Sequence, residues 1–207
     1  KLAQNPLMLL FAGGIFIYVG IEVGIANWIS TYLVDKHNMP AVDAAKVVSM
    51  YWALQSVGRF SGGVVLNYLN TSKALILYAL GCIASLVVAV YAPTALVASV
   101  AFVAVGFFTS IMFPSIFSLA VNSFEKKQEP TVAGVLCTAI IGGAITQLLI
   151  GWLSGPVGSL GNSLLITGAV SFLYIAYIGI NSLKNPNSAD SSVKQTVKAK
   201  SENEVLI

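Results

Sequence analysis

The chain has 207 residues, 57% of them apolar and 9% charged, and 11 Lys plus Arg against 8 Asp plus Glu leave a net charge of +3. A soluble domain carries about 25% charged residues, so this chain has too few charges to coat a folded surface in water, and its mean hydropathy of +0.83 marks it as a membrane protein. A soluble enzyme and a nucleic-acid binder are both excluded, the second because no basic patch interleaves with aromatics.

A helix needs about 20 apolar residues to cross a hydrocarbon core, and six such runs follow one another. The first, 6–33, is longer than a perpendicular span and contains Gly13, Gly14, Gly20 and Gly24, so a tilt or a kink is expected. A polar segment from Asp35 to Asp43, with His37 in a loop, ends it. The second run, 44–68, closes in the polar stretch Asn67 to Lys73, and the third is 74–91. Ala92-Pro93-Thr94 turns the chain into the fourth, 95–121. The most charged loop, Asn122 to Pro130, precedes the fifth run, 131–153, and a Gly- and Pro-rich turn leads to the sixth, 162–180. The runs lack period-two alternation, which argues for helices over barrel strands. The fold class is therefore an all-α membrane protein with six transmembrane helices over 6–180, followed by a flexible cytoplasmic tail over 181–207 that is too polar to order itself.

Six passes put both ends and the second and fourth loops on one side of the bilayer. That side holds Lys1, Lys73, Lys126, Lys127 and Lys184, against Lys36 and Lys46 on the other, so both ends are expected in the cytoplasm. The sequon Asn70-Thr71-Ser72 then faces the cytoplasm and should stay unmodified. Cys82 and Cys137 lie in apolar runs, where they suit packing and form no pair for a disulfide or zinc. The chain opens at Lys1 without an initiator Met or a signal sequence, so a preceding segment is expected.

Glu22 is the strongest chemical clue. An acid near the bilayer centre costs about 2.5–3.5 kcal/mol and needs a partner or a water-filled cavity. It reads either as a hydrogen-bond acceptor for a substrate or a cation site, or as glue between helices. Tyr18 lies one turn earlier on the same face, whereas Asn27 and Trp28 point elsewhere if the helix is regular. In the second run Tyr51, Gln55 and Arg59 recur at i, i+4 and i+8, a polar stripe that must face protein or water. Trp52 and Ser56 flank it, and an indole beside amide and phenol groups is the set a pyranose wants: a flat apolar face with hydrogen bonds at its rim. Arg59 reads as an ion-pair partner, with Glu22 within reach, or as a site for an anion. In the fourth run Phe113 lies beside Pro114, which frees a backbone carbonyl inside a span. Six helices divide as three plus three, and the first and fourth are then corresponding members. Both are Gly- or Pro-interrupted, which points to a midplane site in transporters built from inverted repeats. In the fifth, Gly142-Gly143 permits close helix approach, and Gln147 is a buried amide that reads as cavity lining or an interhelical bond. No catalytic residues, metal cluster or phosphate loop emerge; His37 is the only His.

Four segments, taken in order, carry a resemblance. Tyr18-Val19-Gly20-Ile21-Glu22-Val23-Gly24, Gly58-Arg59-Phe60-Ser61-Gly62-Gly63, Ile111 to Ala120, and Gly134-Val135-Leu136-Cys137 with Ile141-Gly142-Gly143-Ala144 resemble the fucose and glucose/galactose permease family of the major facilitator superfamily. The resemblance implies the C-terminal six-helix half of a twelve-helix transporter, helices seven to twelve, whose N-terminal half is missing. It further implies uptake of a hexose or related sugar coupled to H+ or Na+, with alternating access around a central cavity, in a bacterial inner membrane. Glu22, Tyr18, Asn27, Tyr51, Trp52, Gln55, Phe113 and Gln147 are then the candidate cavity residues, and Arg59, Gly63 and Pro114 the ion-pair or gating positions. Gly63 with Asn67 is similar to the superfamily's cytoplasmic Gly-x-x-x-Asp motif, with Asn in place of Asp and Tyr68 in place of the basic residue that follows. No cofactor is implied. Two alternatives stay open: a carrier of organic anions or drugs with Arg59 facing the cavity, and a stand-alone six-helix membrane subunit.

Overall fold

The computed structural model describes residues 5–184. They form α1 (Pro6–His37), α2 (Ala41–Tyr68), α3 (Thr71–Val90), α4 (Ala95–Thr109), α5 (Met112–Asn122), α6 (Glu129–Thr138), α7 (Gly142–Ser154) and α8 (Leu160–Lys184), with single 3-10 turns at Lys126–Gln128 and Ala139–Ile141. No strand occurs among the described residues. Five helical stretches are long and apolar enough to cross a membrane: Pro6–His37, Thr71–Val90, Ala95–Asn122, Lys126–Ser154 and Leu160–Lys184. Residues α4 with α5, and α6 with α7, thus make one crossing each. The remaining long helix is α2, at 28 residues; Asp43, Lys46, Gln55 and Arg59 lower the hydropathy of its sequence.

Helix ends follow local chemistry. The Asn5 side chain accepts from the Leu7 amide at 2.9 Å, and Pro6 occupies the first turn of α1, where its missing N–H costs nothing. At the other end Asn38 adopts a left-handed conformation, φ 51°, and hands the chain to Pro40. The first helix therefore runs to His37, past the expected end at residue 33, and His37 is its last residue and not a loop residue. Likewise α8 continues through Asn181 to Lys184. The rest of the proposed tail, 185–207, lies outside the described residues, as do residues 1–4.

α1 is one unbroken helix of 32 residues. Its glycines serve close approach. Gly20 and Gly142 face each other across the α1–α7 seam, and a Cβ on Gly20 would strike the Thr146 hydroxyl, one on Gly142 the Phe16 carbonyl. Lipid tails are as apolar as leucine, so close packing of small residues is what holds helices together. The interruptions fall elsewhere, at Ser110–Ile111 between α4 and α5 and at the 3-10 turn between α6 and α7.

The first helix is the hub, packed against α2, α4, α5, α7 and α8, while α3 is held by α4 and α8. Tyr18, Tyr32, Tyr51, Phe11, Phe102 and Phe172 are its largest fully buried neighbours and members. Phenol groups in this core reach partners: Tyr32 Oη donates to the Val90 carbonyl at 2.9 Å, pinning α1 to the end of α3.

Candidate functional site

Glu22 sits on α1 where that helix meets α2 and α4, and only 6% of its surface is exposed. Three side chains converge on one of its oxygens. Tyr18 Oη lies 2.6 Å from Glu22 Oε1 and 2.9 Å from the Thr109 carbonyl; its single proton serves one acceptor at a time. Gln55 donates through Nε2 to the same Oε1. Arg59 Nη2 completes the set at 3.2 Å, an ion pair with 51% of the Arg59 side chain exposed against 8% for Glu22. Tyr51 Oη donates to the Glu22 backbone carbonyl at 3.2 Å. The i, i+4, i+8 stripe of α2 is thereby turned toward α1, as its cost against lipid demands.

Energetics account for the cluster. Charge-assisted hydrogen bonds contribute about 1.5–3 kcal/mol each, enough in a set of three to offset the burial of a carboxylate. Removing one member of such a pair typically costs about 3–5 kcal/mol, because a buried charge is left without its partner. The close α2–α4 approach depends on Gly58, where a Cβ would lie 2.5 Å from Ser110 Oγ.

A second polar group lies further along α1, about 7.5 Å in rise beyond Glu22. Asn27 donates through Nδ2 to Gln147 Oε1, and the Trp28 indole N–H reaches the Gln147 carbonyl at 3.0 Å. These residues with Thr31 and Leu148 line a cleft of about 450 Å³. The structure thus brings Asn27 and Gln147 together but separates them from the Glu22 cluster by more than a helical turn.

The other candidates are spread around these two groups. Trp52 is 38% exposed, its ring edge-on to Tyr51 at 5.3 Å. Phe113 is half-buried, 6.3 Å from the Tyr18 ring and stacked on Phe117 at 6.0 Å. Pro114 is exposed in the first turn of α5, just after the break it causes. Gly63 is exposed, with nothing within 4 Å of a Cβ built on it. Among the described residues no group of three or more His, Cys, Asp or Glu side chains is placed to hold a metal ion.

Thr109 and Thr146 escaped the sequence reading. Thr109 supplies a carbonyl to Tyr18 and lies with its hydroxyl 3.5 Å from Gln55 Nε2. Pro114 was the signal for it: a proline deprives the carbonyl four residues back of its donor, and the helix loosens around Thr109 and Ser110. Nothing in the sequence marked Thr146, which Gly20 accommodates.

Residues 1–140 match the Major Facilitator Superfamily. The chain is similar to the glucose/galactose transporter of Brucella abortus, 36% identical over 86% of this chain and 42% of that protein. It is also similar to a putative glucose/galactose transporter of Helicobacter pylori, at 33% identity over 86% of this chain and 44% of that protein. The chain therefore spans less than half the length of these relatives. Among solved structures the Escherichia coli fucose:proton symporter superposes with a TM-score of 0.78 at 25% identity, over 86% of this chain and 43% of the other. The chain is an integral membrane protein and belongs to the Major Facilitator Superfamily.

Proposed function

We propose that this chain forms one half of a secondary transporter that carries a hexose or a related sugar across the membrane by alternating access, coupled to a cation. The observation that carries the reading is Glu22: a carboxylate deep in an apolar helix, held by Tyr18, Gln55 and Arg59 at a seam that stays partly open. The similarity to glucose/galactose transporters supports a sugar as the passenger. Asn27 and Gln147 add amide surface more than a turn further along α1, Trp52 adds an indole on α2, and Tyr18, Tyr51, Gln55 and Phe113 form the wall around Glu22. A partner half of six further helices completes the cavity. The coupling ion is H+ or Na+. Both ends face the cytoplasm, across a bacterial inner membrane. The pairing of Arg59 with Glu22 cancels the positive charge an organic-anion carrier would need.

The test uses the full-length protein. Glu22→Gln is expected to abolish concentrative sugar uptake while the protein still accumulates in the membrane; uptake at the native rate overturns the assignment. A protonophore that stops uptake without effect of Na+ removal identifies H+ as the coupling ion, and the opposite result identifies Na+.

A further inference from the structure

Glu22 spends one carboxylate oxygen on everything the protein offers it. Tyr18 Oη, Gln55 Nε2 and Arg59 Nη2 all donate to Oε1, and among the described residues nothing donates to Oε2. Glu22 is not wholly sealed in: 8% of its side chain is exposed. Arg59 is unspent in the same way. A guanidinium has five N–H donors, only Nη2 is used on Glu22, and 51% of the side chain is open. The pair therefore presents, side by side, a free acceptor and free donors.

Two adjacent hydroxyls of a sugar have the complementary pattern. One gives its proton to the carboxylate oxygen, and the oxygen of its neighbour accepts from the guanidinium. We infer that Glu22 and Arg59 act together as a charge-neutral clamp for a vicinal diol, and that this neutrality excludes sugars bearing a charge of their own. The inference rests on the sugar reading above and adds the chemistry by which the sugar is chosen. A neutral hydroxyl gains charge-assisted hydrogen bonds from both members and brings no charge to desolvate. A hexuronate sets its carboxylate against Glu22, and an amino hexose sets its ammonium against Arg59. Each is repelled by one member while drawn by the other, so its desolvation goes uncompensated.

The test is competition binding to the purified full-length transporter in detergent, which does not require transport to occur. A labelled neutral hexose is displaced by the same hexose, by its 6-carboxylate and by its 2-amino derivative. On the wild type both charged analogues are expected to bind at least about tenfold more weakly than the neutral sugar. Arg59→Gln leaves the charge of Glu22 unbalanced, so the amino hexose should gain on the hexuronate; Glu22→Gln should reverse that order. A pair that merely ties α1 to α2 lowers the yield of both variants and leaves the order of ligands alone. An unchanged order in the variants, or equal binding of all three ligands to the wild type, overturns the clamp, and the wild-type arm needs no variant to fold. Absence of any hexose binding overturns the sugar reading itself, a result distinct from loss of discrimination.

Discussion

At Gly142 the backbones of α1 and α7 meet so closely that a methyl group would collide with the Phe16 carbonyl, and a backbone atom cannot rotate aside. Overpacking of this kind costs about 1–3 kcal/mol. Gly134 has nothing within 4 Å of an added Cβ, so alanine there should gain about 0.5–1 kcal/mol of helix propensity. Thermal unfolding of the full-length protein in detergent should therefore show a lower Tm for Gly142→Ala and an unchanged or higher one for Gly134→Ala. Equal falls in the two variants would contradict this account of the seam. The same scale separates the candidate site residues by task. Tyr18, Tyr51 and Gln55 are buried and hold Glu22 in place, whereas Asn27, Trp52 and Arg59 keep exposed surface.

Each helix owes its limits to a few local groups. The α3 N-terminus depends on Asn70, whose Oδ1 accepts from the Ser72 amide at 2.8 Å. Asn70→Ala should lower stability by about 1 kcal/mol, and Asn70→Asp should restore it, since both side chains cap equally well. A loss of Tm in the alanine variant that aspartate fails to recover would show that the side chain matters for something other than the cap. Interruptions are also elements in their own right. The break at Ser110–Ile111 presents Thr109 to Tyr18, and the 3-10 turn at Ala139–Ile141 sets Gly142 against Phe16, so both broken helices bear on the same part of α1. An unbroken α1 carries Glu22 between them.

Over the described residues, large apolar side chains are open at Phe60 (86%), Leu148 (72%) and Trp152 (69%), as expected of a protein whose surroundings are lipid. The proposed orientation is testable by thiol labelling in a full-length variant lacking Cys82 and Cys137. A membrane-impermeant maleimide should reach Pro156→Cys in intact cells and Lys127→Cys only after lysis. The reverse pattern would invert the topology. This chain spans under half the length of the relatives it matches.

Composition and hydropathy by themselves determined that the chain is helical and membrane-embedded, because the cost of exposing backbone to hydrocarbon admits few alternatives. The i, i+4, i+8 stripe likewise made it legible that Tyr51, Gln55 and Arg59 share a face, and the acid at Glu22 that a partner was required. Tertiary structure alone decided which partners those are, that all of them choose Oε1, and that Asn27 pairs with Gln147 from a helix far away in the chain. It also made the glycines of α1 contact points against neighbouring helices. The physical reason is common to these cases: periodicity tells which side of a helix a residue occupies, but not which helix will lie against that side or how near.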